Sequence, residues 1–276
     1  MFEETPMKRH PDEIAAKMHE ALRDKEFKLY LQPKIDLKTK STAGAEALVR
    51  WIGKKGEILF PNEFIPVFEQ NGFCIFLDDY MLEQTCRLIR QWMKNGIEPI
   101  PISVNQSRLI FFQPDYTARL QQLMETYQIP RGILILEITE GIALEKEQHL
   151  TARLTQIQNL GIQISMDDFG TGYSSLTMLG SLPIDELKLD RGFLLKASDP
   201  ADTRSRIILQ HIFQLAKSLN LPTVAEGIET VEQETFVRNW GGDYGQGYLY
   251  DRPMPVKEFN TKYMRGNFNE KTDFII

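Results

Sequence analysis

The chain has 276 residues, of which 42% are hydrophobic, and its formal net charge is −6. This length suits a single α/β barrel of about 250 residues. The negative charge argues against a basic surface for a nucleic acid polymer, but it does not exclude a small anionic ligand bound through metal ions.

The sequence carries no sign of secretion or of membrane insertion. No apolar run approaches the roughly 20 residues that a membrane helix needs, and the opening residues MFEETPMKRHPDE are not a signal peptide. The two cysteines, Cys74 and Cys86, do not form a CxxC motif, so we expect reduced thiols in the core. These features predict a soluble, cytoplasmic chain.

An amphipathic helix over residues 11–26 is followed by strand patterns that alternate with helical patterns. Two further helices are predicted over 77–96 and 203–220, and Asp202 or Thr203 would cap the second. The predicted strands are 28–33, 42–51, 100–105, 133–139, 162–168, 185–190, 222–227 and 244–250. Strands that alternate with helices in this way predict a (βα)8 barrel. A doubly wound open sheet is the alternative, although no glycine-rich dinucleotide fingerprint follows the first strand.

Polar side chains recur near the C-terminal ends of these strands, where the active sites of α/β barrels lie. They are Glu46, Asn105, Glu137, Glu140, Asp167, Asp168, Lys188, Asp190, Glu226, Glu229 and Gln246. Because side chains alternate along a strand, Gln163, Ser165 and Asp167 share one face, opposite three apolar residues. In the same way Glu186, Lys188 and Asp190 share one face of the strand over 185–190. Buried charges are costly unless they are paired or bound to metal. The pattern therefore predicts an oxygen-rich site suited to Mg²⁺ or Mn²⁺.

Asp167 and Asp168 stand side by side before a glycine-rich turn. Carboxylates in contact repel each other unless positive charge lies between them, and one divalent cation, or a pair of them, would supply it. Gly170 and Gly172 would let the following loop bend, and Ser174 would cap the next helix.

Each of these residues, taken singly, also has an ordinary structural explanation. A glutamate at a strand end can cap a helix or lie in a solvated loop, and two aspartates before Phe-Gly can form an Asx turn. Lys188 can be a surface lysine or a salt-bridge partner of Asp190, and Gln246 between two glycines can belong to a turn. Their joint placement on successive strand ends favours a functional site.

At these residues the sequence resembles the EAL-domain family, the cyclic di-GMP phosphodiesterases of bacterial signalling. The tripeptide Glu46-Ala47-Leu48 stands within AEALVRW. The other matching segments cover nearly the whole chain in the family's order: LYLQPKIDL (29–37), PNEFIPVFEQNG (61–72), SVNQS (103–107), LEITE (136–140), MDDFGTGYSSL (166–176), LPIDELKLDRGFL (182–194), VAEGIET (224–230) and GQGYLYDRPMPVKEF (245–259).

The resemblance implies a TIM-like (βα)8 barrel variant in which the first strand runs antiparallel to the rest, whereas the strand pattern alone predicts eight parallel strands. It also implies a two-metal phosphodiesterase that converts cyclic di-GMP to linear pGpG with Mg²⁺ or Mn²⁺. The residues that match the family's ligands for one metal are Glu46, Asn105, Glu137 and Asp167. Asp167 would bridge to a second metal, which Asp168 also holds.

Three further matches concern the attacking water. Glu226 matches an acidic residue at the metal and water centre. Lys188 matches the lysine that contacts the attacking water, and Asp190 matches a carboxylate partner of that lysine. Lys188 would hold or deprotonate the water, and we expect neighbouring metals to lower its pKa.

The remaining matches concern the substrate and its surroundings. The residues that match substrate contacts are Gln32, Leu48, Arg50 and Gln246. Arg50 is placed for a phosphate, and Gln246 matches a residue near the metal site. Glu140 matches the glutamate that holds the loop after the predicted strand over 162–168. Glu229 would support residues of the site without contacting the metals itself.

We predict an N-terminal helix over 1–26, an EAL phosphodiesterase domain over 27–265 and a tail over 266–276. The helix resembles the connector that often follows a GGDEF domain, so an upstream GGDEF or sensor domain is predicted, with an ordinary N-terminal helix as the alternative. A homodimer is also predicted, because the family often dimerises. The competing functions are a catalytically silent cyclic di-GMP receptor and a different barrel metalloenzyme, such as an enolase-like lyase.

Overall fold

One sheet contains all the strands of the described residues, and eight of them close into a barrel. The computed structural model describes residues 10–143, 147–170, 176–199 and 201–264. The strands are β1 (Phe27–Asp36), β2 (Thr42–Ile52), β3 (Ile58–Leu59), β4 (Ile102–Gln106), β5 (Leu134–Thr139), β6 (Gln163–Phe169), β7 (Glu186–Leu189), β8 (Thr223–Ala225), β9 (Tyr244–Gly245) and β10 (Met254–Pro255). The barrel order is β1-β9-β8-β7-β6-β5-β4-β2, and β1 pairs with β2 to close the ring. The predicted α/β barrel is confirmed.

The first strand, β1, runs against both of its neighbours in the ring. It pairs antiparallel with β2, with Gln32 opposite Glu46, and antiparallel with β9, with Ile35 opposite Gly245. The other neighbouring strands of the ring are parallel. Residues 37–41 alone join β1 to β2, and a parallel crossover needs a dozen or more residues. The antiparallel first strand is therefore confirmed, and the eight parallel strands predicted from the pattern alone are wrong.

Two short strands extend the sheet outside the ring, and the last barrel strand is shorter than predicted. β3 pairs antiparallel with β2, and β10 pairs antiparallel with β1. The predicted strand over 244–250 ends at Gly245. The next residue, Gln246, donates its N–H to the carbonyl of Ala225 and accepts from the N–H of Ile228. These bonds hold Gln246 at the C-terminal end of β8.

Helices alternate with the strands, as the sequence predicts. They are α1 (Pro11–Arg23), α2 (Pro61–Asn71), α3 (Cys74–Lys94), α4 (Arg108–Phe111), α5 (Tyr116–Tyr127), α6 (Glu140–Ala143), α7 (Glu147–Asn159), α8 (Leu176–Ser181), α9 (Arg191–Ser198), α10 (Thr203–Ser218), α11 (Val231–Trp240) and α12 (Val256–Tyr263). The three predicted helices correspond to α1, α3 and α10. Oδ1 of Asp202 accepts the N–H of Ser205 at 2.9 Å, so Asp202 caps α10.

Apolar side chains on the outer face of the barrel pack against the helices. On β6, Ile164 and Met166 are fully buried, as the alternation predicts. The rings of Phe27 and Trp51 lie 5.1 Å apart, and Phe64 of α2 packs 5.9 Å from each of them. This packing leaves the inner face of the strands for polar residues.

Two predictions from composition can be compared with the described residues. Cys74 and Cys86 are buried free thiols, as predicted. Within the described ranges, no helix combines the length and the hydropathy that crossing a membrane requires. The boundaries predicted at 26/27 and 265/266 stay predictions, and residues 1–9 and 265–276 lie outside the described part.

Candidate active site

A bulge at the end of β6 changes the direction of Asp168. In a regular strand the side chains of Asp167 and Asp168 would point to opposite faces of the sheet. The pairing of β6 with β7 shifts register between Met166 and Phe169, and Asp168 has a φ of +55°. A left-handed residue in a bulge breaks the alternation, and aspartate accepts this conformation better than most residues do. Two consecutive carboxylates can therefore serve one site.

Lys188 of β7 lies among four carboxylates inside the barrel. Its Nζ is 2.6 Å from Oε1 of Glu226, 2.8 Å from Oε2 of Glu137, 3.2 Å from Oδ1 of Asp167 and 3.6 Å from Oε2 of Glu46. Lys188 is 1% exposed. The structure thus brings together five predicted residues that lie far apart in the sequence.

Burial and mutual repulsion raise the pKa of most of these carboxylates. Burial raises the pKa of Glu226 to about 8, and Asp167 and Glu46 add to this against the opposing charge of Lys188. Burial, followed by repulsion from Glu137, also raises the pKa of Glu46. Burial disfavours the ammonium of Lys188, but the carboxylates outweigh it and hold the pKa of Lys188 well above its ordinary value. The lowered pKa that we predict for Lys188 applies beside bound metal ions. With carboxylates alone around it, the pKa of Lys188 is raised instead.

Glu137 is the exception, because two lysines contact it. Burial opposes its ionisation, yet Lys188 and then Lys34 outweigh burial and hold the pKa of Glu137 below its ordinary value. Nζ of Lys34 lies 3.1 Å from Oε1 of Glu137. Lys34 is buried, and no pattern in the sequence predicts it as a site residue.

Three amide side chains extend the site. Nδ2 of Asn105 donates to Oε1 of Glu46 at 2.8 Å, and Nε2 of Gln246 donates to Oε2 of Glu46 at 2.6 Å. Nε2 of Gln246 also donates to Oε1 of Gln32 at 3.0 Å. Among the described residues, the buried Oε1 of Gln246 has no hydrogen-bond partner, although buried polar atoms are nearly always satisfied. A hydrogen-bond donor or a cation bound beside Gln246 would satisfy this atom.

A cavity of about 290 Å³ is lined by most of these side chains, although Glu137 and Lys34 are not part of its lining. The predicted residues in its lining are Gln32, Glu46, Leu48, Asn105, Asp167, Lys188, Glu226, Glu229 and Gln246. A concave site with convergent polar groups is typical of a small-ligand site.

Arg50 lies outside the cavity lining. Its guanidinium lies 5.6 Å from the ring centroid of Tyr30 and 5.4 Å from that of Phe60. Nη1 of Arg50 donates to the carbonyl of Val49 at 2.8 Å. The two aromatic rings therefore hold the guanidinium, whose remaining N–H groups are the candidates for contact with a phosphate.

Asp190 contacts backbone rather than Lys188. Its Oδ1 accepts the N–H of Gly192 at 2.8 Å and caps α9. In the described part of the chain, the ion pairs of Lys188 do not include Asp190. The strand ends at Leu189, so the alternation that would turn Asp190 inward stops one residue earlier. A direct contact between Asp190 and Lys188 is not present.

Glu140 and Glu229 each hold a neighbouring element. Oε1 of Glu140 accepts the N–H of Gly170 at 2.7 Å, where the chain leaves β6. Glu229 pairs with Arg191 at 2.8 Å. Gly172 and the predicted cap Ser174 lie outside the described residues.

The cavity is also lined by residues that no sequence pattern predicts. Arg191 and Tyr248 line it together with Gly227 and Gly247. The guanidinium of Arg252 lies 4.2 Å from the ring centroid of Tyr248. Arg191 directly follows Asp190, so proximity to predicted residues is the signal that could have found it.

The donor chemistry of the site fits a hard divalent cation. Carboxylate and amide oxygens are the ligands that Mg²⁺ and Mn²⁺ prefer. A bound cation would stabilise the ionised carboxylates of Glu46 and Asp167, whose pKa values are raised without it. It could also contact Oε1 of Gln246, which has no hydrogen-bond partner among the described residues. Within the described residues no group of three or more His, Cys, Asp or Glu side chains is arranged to hold a metal ion, and Lys188 contacts four of the carboxylates. A cation would therefore share these ligands with Lys188.

An acidic, oxygen-rich site at the C-terminal ends of the strands is the arrangement of an α/β-barrel enzyme. The profile of the EAL domain family matches residues 15–253. This chain belongs to the EAL domain family.

Two relatives and one solved structure illustrate the similarity. The bifunctional diguanylate cyclase/cyclic di-GMP phosphodiesterase MucR of Pseudomonas aeruginosa is 34% identical over 260 residues, which cover 93% of this chain and 38% of MucR. The cyclic di-GMP phosphodiesterase NbdA of the same species is 35% identical over 244 residues, covering 88% of this chain and 31% of NbdA. The structure of the MucR phosphodiesterase in its c-di-GMP complex matches with a TM-score of 0.84 and 34% identity, covering 90% of this chain and 99% of that chain. This chain thus spans less than two fifths of the length of MucR or NbdA.

Proposed function

We propose that this chain hydrolyses one phosphodiester bond of cyclic di-GMP and releases linear pGpG. The observation that carries the proposal is the cluster of buried carboxylates around Lys188 in the barrel cavity. Membership of the EAL domain family and the activities for which MucR and NbdA are named support it. The product pGpG carries a 5′-phosphate, so the bond that breaks joins phosphorus to a 3′ oxygen. Water supplies the new oxygen on phosphorus and the hydrogen of the 3′ hydroxyl.

Five of the site residues would hold two divalent cations, Mg²⁺ or Mn²⁺. Glu46, Asn105, Glu137 and Asp167 would hold one ion, and Asp167 and Asp168 would hold the second. Such ions, when bound, lower the pKa of water and stabilise the charge that develops on phosphate oxygens. The bulge at Asp168 supports this assignment, because it lets consecutive carboxylates serve one site.

Lys188 and Glu226 would act on the attacking water. The pKa of Lys188 is held high, which favours the ammonium form and a role in orienting water by donating an N–H to its oxygen. Glu226, 2.6 Å from Nζ of Lys188, would accept the proton of that water. Asp190 would contribute indirectly as the cap of α9, whose first residue, Arg191, lines the cavity.

The cavity would bind the dinucleotide through its polar lining. Gln32, Leu48 and Gln246 are in contact with the cavity, and Oε1 of Gln246 is available to accept a guanine N–H. Arg50 would contact a phosphate. Glu229 would position Arg191, and Glu140 would hold the loop after β6 through Gly170.

The wider assembly is part of the same proposal. A homodimer, a cytoplasmic location and an upstream GGDEF or sensor domain are expected, along with domain boundaries at 26/27 and 265/266. MucR is named as a bifunctional diguanylate cyclase/cyclic di-GMP phosphodiesterase, and two activities in one relative support the idea of a longer chain. Light scattering on the purified protein would test the dimer directly.

The activity is tested by incubating the protein with cyclic di-GMP and Mg²⁺ or Mn²⁺ and separating the nucleotides by chromatography. Glu46→Gln removes one proposed ligand, while Glu258→Gln, at an exposed glutamate that pairs with Lys262, is the matched control. We expect metal-dependent pGpG from the wild type and from Glu258→Gln, and none from Glu46→Gln or with EDTA.

Two other outcomes would contradict the proposal in different ways. Tight binding of cyclic di-GMP without turnover would identify a silent receptor. Neither product nor binding would show that the substrate is wrong, and a different barrel metalloenzyme would then be the better hypothesis.

A further inference from the structure

A second polar layer lies inside the barrel, beside the residues of the candidate site. Lys34, Ser165 and Glu186 each stand two residues from a candidate site residue, on β1, β6 and β7. Side chains two apart on a strand share a face, and these three are 3%, 0% and 8% exposed. Nζ of Lys34 lies 2.9 Å from Oε1 of Glu186, which also accepts from Oγ of Ser165 at 2.8 Å. The barrel interior therefore contains a buried ion pair that the proposed reaction does not use.

This layer is connected to the candidate site through Glu137. Nζ of Lys34 is 3.1 Å from Oε1 of Glu137, and Nζ of Lys188 is 2.8 Å from Oε2 of the same carboxylate. Lys188 lines the cavity and Lys34 does not. The carboxylate cannot rotate without breaking one of these two contacts. Lys34 thus holds Oε1 of Glu137, while Oε2 faces Lys188, a residue of the cavity lining.

We propose that Lys34 is a positioning residue that holds Oε1 of Glu137 and leaves Oε2 as the oxygen offered to a divalent cation. The inference rests on the proposed function, in which Glu137 is a metal ligand. Groups that orient a metal-ligating side chain typically contribute about 10- to 100-fold to metal affinity. Lys34 acts through Glu137 and does not itself contact the cavity.

Glu186 explains how the ammonium group of Lys34 can be buried. An unpaired ammonium inside a protein is costly, and the carboxylate of Glu186 balances the charge of Lys34 at 2.9 Å. The pair therefore adds no net charge next to the metal ligands. If the pair of Lys34 and Glu186 only fills the barrel interior, its replacement should leave the metal affinity unchanged. If Lys34 positions Glu137, the metal affinity should fall.

The test is calorimetric titration of Mn²⁺ into metal-free protein without nucleotide. The test variant is Lys34→Met/Glu186→Gln, which removes one positive and one negative charge together and so leaves the net charge unchanged. The matched control is Lys262→Met/Glu258→Gln, which also removes one positive and one negative charge but at an exposed ion pair 2.9 Å apart. We expect the double variant to bind Mn²⁺ about 10-fold or more weakly than the wild type, and the control to stay much closer to the wild type.

Equal or tighter Mn²⁺ binding by the double variant would overturn the proposal, because Lys34 would then fill space or compete with the cation. If the wild type binds no Mn²⁺, the proposed metal site fails and this inference fails with it. Circular dichroism reports folding, and Lys34→Met/Glu186→Leu offers a fully apolar pair if the first double variant does not fold. Failure of both to fold would also overturn the proposal, because the pair would then be required for the barrel itself.

Discussion

Nζ of Lys188 lies 2.6 Å from Oε1 of Glu226 inside the barrel, where Lys188 is 1% exposed. A charge at this depth needs opposite charges around it, and Glu226 is one of four carboxylates that supply them. The same carboxylates are the proposed ligands and neighbours of the divalent cations. Protein stability and metal binding should therefore be linked at Lys188.

Lys188→Met should destabilise the metal-free protein and abolish turnover. Breaking a buried ion pair typically costs about 3–5 kcal/mol, and here several carboxylates lose a common cation. Mn²⁺ should then stabilise the variant more than the wild type, since a ligand that binds the folded state raises stability by mass action. Urea unfolding in EDTA and in Mn²⁺ measures both effects.

The matched control for this experiment is Lys54→Met. Lys54 also pairs with two carboxylates, Glu20 at 2.7 Å and Asp24 at 2.8 Å, but its side chain is 62% exposed. We expect no comparable loss of stability and no change in the response to Mn²⁺. Equal losses at Lys54 and Lys188 would contradict the linkage.

Asp168→Asn should separate the chemistry of this residue from its backbone conformation. Asparagine accepts a positive φ readily, so the unfolding midpoint should be nearly unchanged, whereas alanine at the φ of +55° should cost about 1–2 kcal/mol. Both variants lose a proposed metal ligand, and several kcal/mol of charge stabilisation correspond to about a hundredfold or more in rate. Measurement of pGpG formation beside urea unfolding tests this, and full activity of Asp168→Asn would remove Asp168 from the proposed ligands.

The strands could be predicted because alternation is a local property of the sequence. Polar Ser165 and Asp167 alternate with apolar Ile164 and Met166, and β6 follows this pattern. The direction of β1 could not be predicted in this way, because a strand has the same pattern in either direction. The short connection over residues 37–41 determines it instead.

The alternation of polar and apolar residues could not predict contacts between distant parts of the chain. Lys34 lies 103 residues from Glu137 and 152 residues from Glu186, so no local signal joins them. The alternation predicts Asp190 on the inner face, but the helix that begins at Arg191 turns Asp190 into a cap. Local rules thus located most residues of the cavity and missed those whose roles depend on where elements end or meet.

Tyr250→Phe should loosen the segment that follows Gln246. Oη of Tyr250 donates to Oε1 of Glu234 at 2.9 Å, and Oε2 of Glu234 pairs with Lys40 at 2.6 Å. A hydrogen bond to a charged group contributes about 1.5–3 kcal/mol, so we expect a loss of that order in the free energy of unfolding. KM for cyclic di-GMP should rise more than kcat falls, because the hydrogen bond that the structure describes for the Tyr250 hydroxyl goes to Glu234 and not to a proposed metal ligand.

The control for Tyr250 is Tyr127→Phe. Oη of Tyr127 donates to Oε1 of Glu83 at 2.8 Å, between α5 and α3, and neither residue lines the cavity. It should lose similar stability with KM unchanged. An equal change of KM in both variants would mean that the effect comes from general destabilisation.

Asp78 should make the stability of the protein depend on pH. Burial raises the pKa of Asp78 to about 7, opposed by hydrogen bonds from Ser107 and assisted by Glu69. The folded state therefore binds this proton more tightly than the unfolded state, whose carboxyl has the ordinary value of 3.8. The contribution of Asp78 to stability is thus full at low pH and is lost as the pH rises from about 4 to about 7.

Asp78→Asn should remove this dependence. Its amide oxygen can still accept the N–H of Ser107, which lies 3.0 Å from Oδ2 of Asp78, but the side chain cannot ionise. Each pKa unit corresponds to about 1.4 kcal/mol, so the variant should gain a few kcal/mol relative to the wild type between pH 5 and pH 8. Urea unfolding across this range measures the difference, with Asp115→Asn at an exposed position as the control. A constant difference between wild type and Asp78→Asn across the range would show that Asp78 is ionised throughout, and that its hydrogen bonds with Ser107 outweigh its burial.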